Sequence, residues 1–237
     1  HRFIAHLSQF TRRRCGSDRP YCQGGDVILS AHQPAYLPWL GYFEKIARAE
    51  VFVYLDTVQF EKNSFINRNR IKTPQGVLWL TIPVKTKGHT SRSLRNTEID
   101  NEQPWRAKHL KTIEMNYRKA PRFEERFPKI ESLVRRPESN LAEYCFHQLQ
   151  FWLDEFAIDT RIVRSSELPI VSTKSDLILD LCRHLSARHY LSGARGRDYL
   201  IESDFKNAGI NVEYQNFTPP IYPQLWGEFT PYLSILD

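Results

Sequence analysis

Residues 30–73 bring together a histidine, a carboxylate and a dense set of cations and amides. The chemistry open to such a set is the transfer of an activated group held beside an anion. His32 and Gln33 follow one apolar run, Val27-Ile28-Leu29, and Asp56 and Gln59 follow a second at 51–55. Lys62, Asn67, Arg68, Asn69, Arg70 and Lys72 come next within a short polar span. Arginine and asparagine offer forked or paired donors, which suits them to fixing a carboxylate or phosphate in one orientation. Acyl or aminoacyl transfer requires a base for the attacking amine or hydroxyl and donors for the oxygen that gains charge. In that scheme His32 is the base, Asp56 orients it, and Asn67, Asn69 or Lys72 holds the oxyanion. A His or Asp at a strand end also serves to cap a helix or to satisfy backbone amides, and each residue taken singly fits that use.

The elements that must position these groups follow from apolar spacing. The runs at 27–29 and 51–55 are of the kind buried on both faces of a sheet. Between them residues 39–49 place Leu40, Phe43, Ile46 and Ala47 on one helical face. Such a strand-helix-strand unit is parallel and right-handed, and open parallel sheets bind ligands beyond the carboxyl ends of their strands. The expected fold class is therefore α/β, a largely parallel sheet with flanking helices and a helical middle segment.

Further along, residues 77–84 read as a third strand after a turn at Pro74-Gln75-Gly76, and 85–96 as a mobile polar loop able to close over an anion. A helix to Tyr117, capped at Asp100 or Asn101, carries Trp105, Lys108, His109, Ile113 and Tyr117 on one face. That face either covers the core with long side chains or sends Lys108, His109 and Tyr117 into the cleft. Leu141, Cys145, Leu149, Trp152 and Phe156 mark a structural helix, and Thr173 with Asp176 opens another. The last third repeats the opening: a strand at 189–191, the turn Ser192-Gly193-Ala194-Arg195-Gly196-Arg197, a helix at 198–207 and a strand at 210–217. Ser192, Gly193, Arg195 and Gly196 form either a plain tight turn or a second anion site. Residues 218–232, rich in Pro and aromatics, read as an irregular covering segment.

His32-Gln33-Pro34 with Tyr36, Pro38-Trp39, Gly41-Tyr42-Phe43 and Lys45 resembles the opening signature of the WbqC-like family. Leu55-Asp56, Val58-Gln59-Phe60, Lys62, Asn67-Arg68-Asn69, Ile71-Lys72, Trp105, Lys108-His109, Tyr117 and Ala120-Pro121 extend it. Tyr190 to Gly193, Tyr199-Leu200, Tyr222, Gln224, Phe229, Leu233-Ser234 and Asp237 carry it from about residue 27 to the end. The resemblance implies a bacterial protein of surface-polysaccharide (O-antigen) gene clusters and a glycyl or other aminoacyl transfer to a sugar precursor. The residues expected to bind substrate are Gln33, Tyr36, Lys45, Gln59, Lys62, Asn67, Arg68, Asn69, Lys72, Lys108, His109 and Tyr117, with Ser192, Gly193, Arg195 and Gly196 of the turn.

Two alternatives stand beside a transferase of that kind. The layout is similar in placement to nucleotidylyltransferases with an H-x-G-H motif, although Trp39 and Tyr42 occupy the positions of the two histidines. A non-catalytic binding or scaffold module would use the same cleft without turnover. The expected partner is a small molecule, whether sugar precursor, activated amino acid or nucleotide; no cofactor is assigned and the oligomeric state is left open.

Composition narrows the classes further. At 237 residues the chain can bury one full core or two small lobes. Lobes at about 27–120 and 160–237, joined by helices at 121–159, are one division. The net charge of +6 invites a nucleic-acid reading, but half of it lies in residues 1–26, where Arg2, Arg12, Arg13, Arg14 and Arg19 face only Asp18 and Asp26. That stretch has no hydrophobic periodicity and no apolar signal core, and reads as a disordered or non-native extension. Nucleic acid is accordingly not expected as a partner. No apolar stretch nears the roughly 20 residues of a membrane span, which places the expected activity in the cytoplasm. Cys15, Cys22, Cys145 and Cys182 form no C-x-x-C pair and read as free thiols, and His and Cys spacings match no common metal site. The end at Asp237 comes where the family usually continues, so a terminal strand or site residue is expected beyond it.

Overall fold

The computed structural model describes residues 27–85 and 92–237. The expected extension at 1–26, with Cys15 and Cys22, lies outside the described residues, as do residues 86–91 of the loop expected at 85–96. The chain forms two compact units that it enters more than once. Unit 1 comprises the chain to Gln33, Gly41–Val58 and Leu153–Thr218; unit 2 comprises Pro34–Leu40, Gln59–Trp152 and Pro219–Asp237.

Unit 1 is an α/β layer structure. Its five-stranded sheet is parallel throughout, in the order β5-β2-β1-β6-β7, with β1 Val27–His32, β2 Val51–Tyr54, β5 Arg161–Arg164, β6 Ala187–Ser192 and β7 Asn211–Tyr214. The chain builds outward from β1 to one edge, then returns to the other side of β1 and builds to the opposite edge. The direction therefore reverses between β1 and β6, the position where open parallel sheets leave a crevice. One face of the sheet buries Leu29, Ala31, Val53, Leu55 and Tyr190 against Leu177, Ile178, Leu181 and Cys182 of α5 (Lys174–His184) and Phe205 of α6 (Glu202–Asn207). Alternation along β1 and β2 turns His32 and Phe52 to the other face, where Tyr42 and Phe43 of α1 (Leu40–Arg48) pack on Phe52 and Phe156. Apolar residues on both sheet faces explain why these strands read as unbroken hydrophobic runs.

Unit 2 holds an antiparallel hairpin of β3 (Arg68–Thr73) and β4 (Gly76–Thr81), with α2 (Trp105–Tyr117), α3 (Phe123–Arg135) and most of α4 (Leu141–Glu155). The strand expected at 77–84 is present as β4, ends at Thr81 and pairs within the hairpin, and the polar run from Arg68, not expected as a strand, is itself one. Its sequence hid this because Asn69, Ile71 and Thr73 alternate inward with Arg68 and Arg70 facing out, so two of the three inward residues are polar. The helix expected at 198–207 starts only at Glu202, after a 3-10 turn at Ala194–Asp198, and α2 has Pro104 at its N-cap in place of Asp100 or Asn101. Asn101 Oδ1 instead accepts from Trp105 Nε1 and Arg106. Among the described residues no helix is long and apolar enough to cross a membrane.

Candidate active site

At the carboxyl end of the central strand β1, His32 Nδ1 lies 2.8 Å from Gln33 O. A carbonyl only accepts, so Nδ1 carries the proton and Nε2 carries the lone pair. Burial, aided by the Lys45 cation, lowers the imidazole pKa from 6.5 to about 3, so the ring is neutral at physiological pH. Tyr42 packs its ring edgewise on the imidazole at 4.9 Å and fixes its plane.

Lys45 stands one turn along α1 from Tyr42, 2 % exposed, its Nζ donating to Ala31 O at 3.0 Å. Desolvation lowers its pKa from 10.5 to about 7, with Glu44 pulling weakly the other way. A buried amine with such a pKa loses its proton at neutral pH, the condition for a lysine to act as base or nucleophile.

The neighbouring strand end supplies the second wall. A Cβ on Gly193 would come 3.7 Å from Lys45 Nζ, so the backbone after β6 borders the amine. Ser30 Oγ donates to Leu191 O at 2.7 Å and locks β1 to β6. Gly196 N donates to Gly193 O at 2.9 Å to close the turn. A Cβ at Gly196 would lie 1.9 Å from Ser192 Oγ and 3.2 Å from Leu200 Cδ1, so the turn accepts only glycine there. Gly196→Ala is expected to cost about 2 kcal/mol or more, read as a lowered urea midpoint, with part regained in the Ser192→Gly background. Arg197 lies 4.0 Å over the Tyr214 ring, and Gln215 Nε2 donates to Gly41 O at 2.7 Å, joining β7 to the start of α1. Arg195 is exposed.

Asp56 is engaged elsewhere. Its carboxylate is fully buried and accepts from Ser165 Oγ and Ser166 N, each at 2.9 Å, from Ser166 Oγ at 2.7 Å and from Arg164 Nε at 3.0 Å. Arg164 Nη2 adds an ion pair at 2.9 Å. The orienting role expected of Asp56 therefore falls to Gln33 O, and Asp56 ties the end of β2 to the turn after β5.

The remaining expected site residues lie in unit 2. Asn67 Nδ2 donates to Ile82 O at 2.8 Å, and Asn69 Nδ2 to Leu37 O at 2.7 Å while its Oδ1 accepts from Arg70 N. Both amides are buried and occupied by backbone, so they brace the hairpin instead of presenting donors to an oxyanion. Lys72 is buried, bonded to Gln224 Oε1 at 3.0 Å and to Glu228 O. Tyr36 OH donates to His109 Nδ1 at 2.8 Å, and His109 Nε2 donates to Thr81 O at 3.1 Å. Burial lowers the His109 pKa to about 4. Tyr117 OH accepts from Lys72 N and donates to Asp237 Oδ1 at 3.0 Å. On α2, then, His109 and Tyr117 are internal struts and only Lys108 is exposed, as are Gln59 and Lys62. Arg68 is partly exposed beside Trp79.

Tyr42 and Gln215 frame the unit 1 site but were not singled out from sequence as site residues, whereas Arg197, expected to add charge to the 192–197 turn, lies over Tyr214. Tyr42 has a detectable signal, one helical turn before Lys45; Gln215 has none, because its role depends on β7 pairing with β6. Among the described residues no cluster of three or more His, Cys, Asp or Glu side chains is placed to hold a metal.

Fold and site together define a parallel α/β protein with a neutral histidine and a buried lysine at the sheet's reversal point. Residues 33–237 match the model of the WbqC-like protein family, and the chain belongs to that family. It is 34 % identical over 209 residues to uncharacterized protein Rv1507c of Mycobacterium tuberculosis (strain ATCC 25618 / H37Rv), covering 86 % of this chain and 89 % of that protein. No solved structure matches it.

Proposed function

We propose that unit 1 is a cytoplasmic group-transfer centre that moves an acyl or aminoacyl group, such as glycyl, from an activated donor to a sugar precursor of surface (O-antigen) polysaccharide. The observation that carries this reading is Lys45, a buried amine with a pKa of about 7, beside a neutral His32 at the carboxyl end of the central strand. Acyl transfer needs a group that takes a proton from the attacking amine or hydroxyl near neutral pH. Lys45 in its neutral form accepts that proton as the acyl group bonds to the acceptor and the adenylate or thiolate of the donor departs, and His32, neutral and held by Gln33 O, borders the amine. The sugar acceptor and the polysaccharide setting rest on family membership and not on the site. Incubation with an aminoacyl adenylate or thioester and a nucleotide sugar, read by mass spectrometry, tests the reading. An acylated sugar is expected, with His32→Ala lowering its rate ~100-fold while the fold is retained. Absence of product from every donor, with no thermal shift on adding donor or acceptor, contradicts it.

A second reading, nucleotidylyl transfer, is favoured by the strand order β5-β2-β1-β6-β7, with the S-G-x-x-x-R turn closing the reversal point. It requires pyrophosphate release from ATP or CTP, a result that the acyl-transfer reading does not produce.

A further inference from the structure

The outward face of the unit 2 hairpin carries an arrangement that the proposed chemistry does not use. Arg68 and Arg70 alternate onto one side of β3, and the β4 residue directly opposite Arg70 is Trp79. Arg68 Cζ sits 4.3 Å over the Trp79 ring and Arg70 Cζ 5.7 Å from the same ring. Phe65 continues the aromatic row at 5.5 Å from Trp79, and Trp39 extends it at 5.6 Å from Phe65. Phe65 is 37 % and Trp79 40 % exposed.

The two guanidinium groups are held in place by neutral acceptors. Arg68 bonds Asn63 Oδ1 and O, and Arg70 bonds Tyr232 O at 3.0 Å. Among the described residues neither meets a carboxylate, and both Nε–H groups are buried without a partner. Two cations on the same side of one strand, both against the Trp79 ring, repel one another, and aromatic faces offset only part of that. Charge complementarity therefore calls for an anion, and the rings call for a ligand with flat apolar faces. The ring stride of about 5.5 Å follows the length of one pyranose unit and exceeds the ~3.4 Å step of stacked bases. The tilts of 47° and 54° between successive rings make a curved pavement and leave no parallel slots for bases.

We infer that this face binds a saccharide chain bearing carboxylates. Its polarised C–H faces lie on Phe65, Trp79 and Trp39, and its carboxylates pair with the N–H edges of Arg68 and Arg70. This inference is independent of the chemistry read from His32 and Lys45, whose substitution leaves the hairpin intact.

Calorimetric titration of the intact protein with a short galacturonate oligomer, a neutral glucose oligomer and a uridylate oligomer of the same length tests it. The galacturonate is expected to bind, with the glucose oligomer about tenfold weaker or more and the affinity falling as salt rises. Arg68→Gln with Arg70→Gln is expected to weaken galacturonate binding about tenfold. Trp79→Ala should do likewise while Trp79→Phe stays within about threefold. Thermal midpoints identify any variant that fails to fold, and the double arginine variant, at solvent-facing positions, serves if Trp79→Ala does not. The inference is overturned by absence of galacturonate binding, by equal binding of the neutral oligomer, by tighter binding of uridylate, or by unchanged affinity in the folded variants.

Discussion

Lys45→Met is expected to leave a protein more stable than the parent and inert in transfer. In the unfolded chain the Lys45 amine keeps its proton up to about pH 10.5, and in the folded chain only up to about 7. Between those values unfolding takes up a proton, so stability rises with pH across that window. Below pH 7 both states are charged and the folded state bears the cost of the buried ammonium. Methionine fills nearly the same space without that cost and leaves only Ala31 O short of a donor. A net gain of about 1–3 kcal/mol at pH 6, shrinking toward pH 9, is the expected outcome in urea titrations. Transfer should fall ~100-fold or more, and the alkaline rise of rate through pH 7 should vanish with the amine. A variant destabilised equally at both pH values would show that Lys45 is a structural cation.

Asp56→Ala should act in the opposite sense. The carboxylate has no exposure and its oxygens are met by Arg164, Ser165 and Ser166. Its removal takes the carboxylate away from the Arg164 guanidinium, the Ser166 hydroxyl and amide, and the Ser165 hydroxyl at the join between the ends of β2 and β5. A loss of about 3–5 kcal/mol is expected, seen as a lowered urea midpoint with an unchanged slope. Whatever protein remains folded should still bind donor, because Gln33 O and not Asp56 sets the His32 tautomer. Full stability with abolished turnover would return Asp56 to the catalytic role read from the sequence.

The contrast between these two residues shows what could be read in advance. Strand, helix and strand from Val27 to Leu55 followed from apolar spacing, because burial on both faces writes itself into every position. His32 was visible for the same reason, at a strand end, whereas Lys45 stood out only through the resemblance to the WbqC-like family. The fate of Asp56 was not, since its partners enter from residues 164–166, more than a hundred positions away, and serines carry no pairing signal. Asn67 and Asn69 misled in a related way. An amide that braces backbone and an amide that cradles an anion have the same sequence, and only the carbonyls of Ile82 and Leu37 distinguish them. The strand at Arg68 escaped notice because polar side chains point inward on both sides of Ile71.

The acid limb offers a further expectation. The His32 pKa is lowered from 6.5 to about 3, so the stability it contributes is present above pH 6.5 and is lost as pH falls toward 3. His32→Gln should flatten that part of the stability profile.

The central claim is that the end of β1 brings together a neutral imidazole and an amine poised near physiological pH. Nuclear magnetic resonance titration of the intact protein, following the His32 ring nitrogens and the Lys45 ε-methylene, addresses it directly. The account predicts a single Nδ1–H tautomer of His32 persisting below pH 5 and a Lys45 midpoint near 7. Titration of His32 near 6.5 with Lys45 near 10.5 would contradict it.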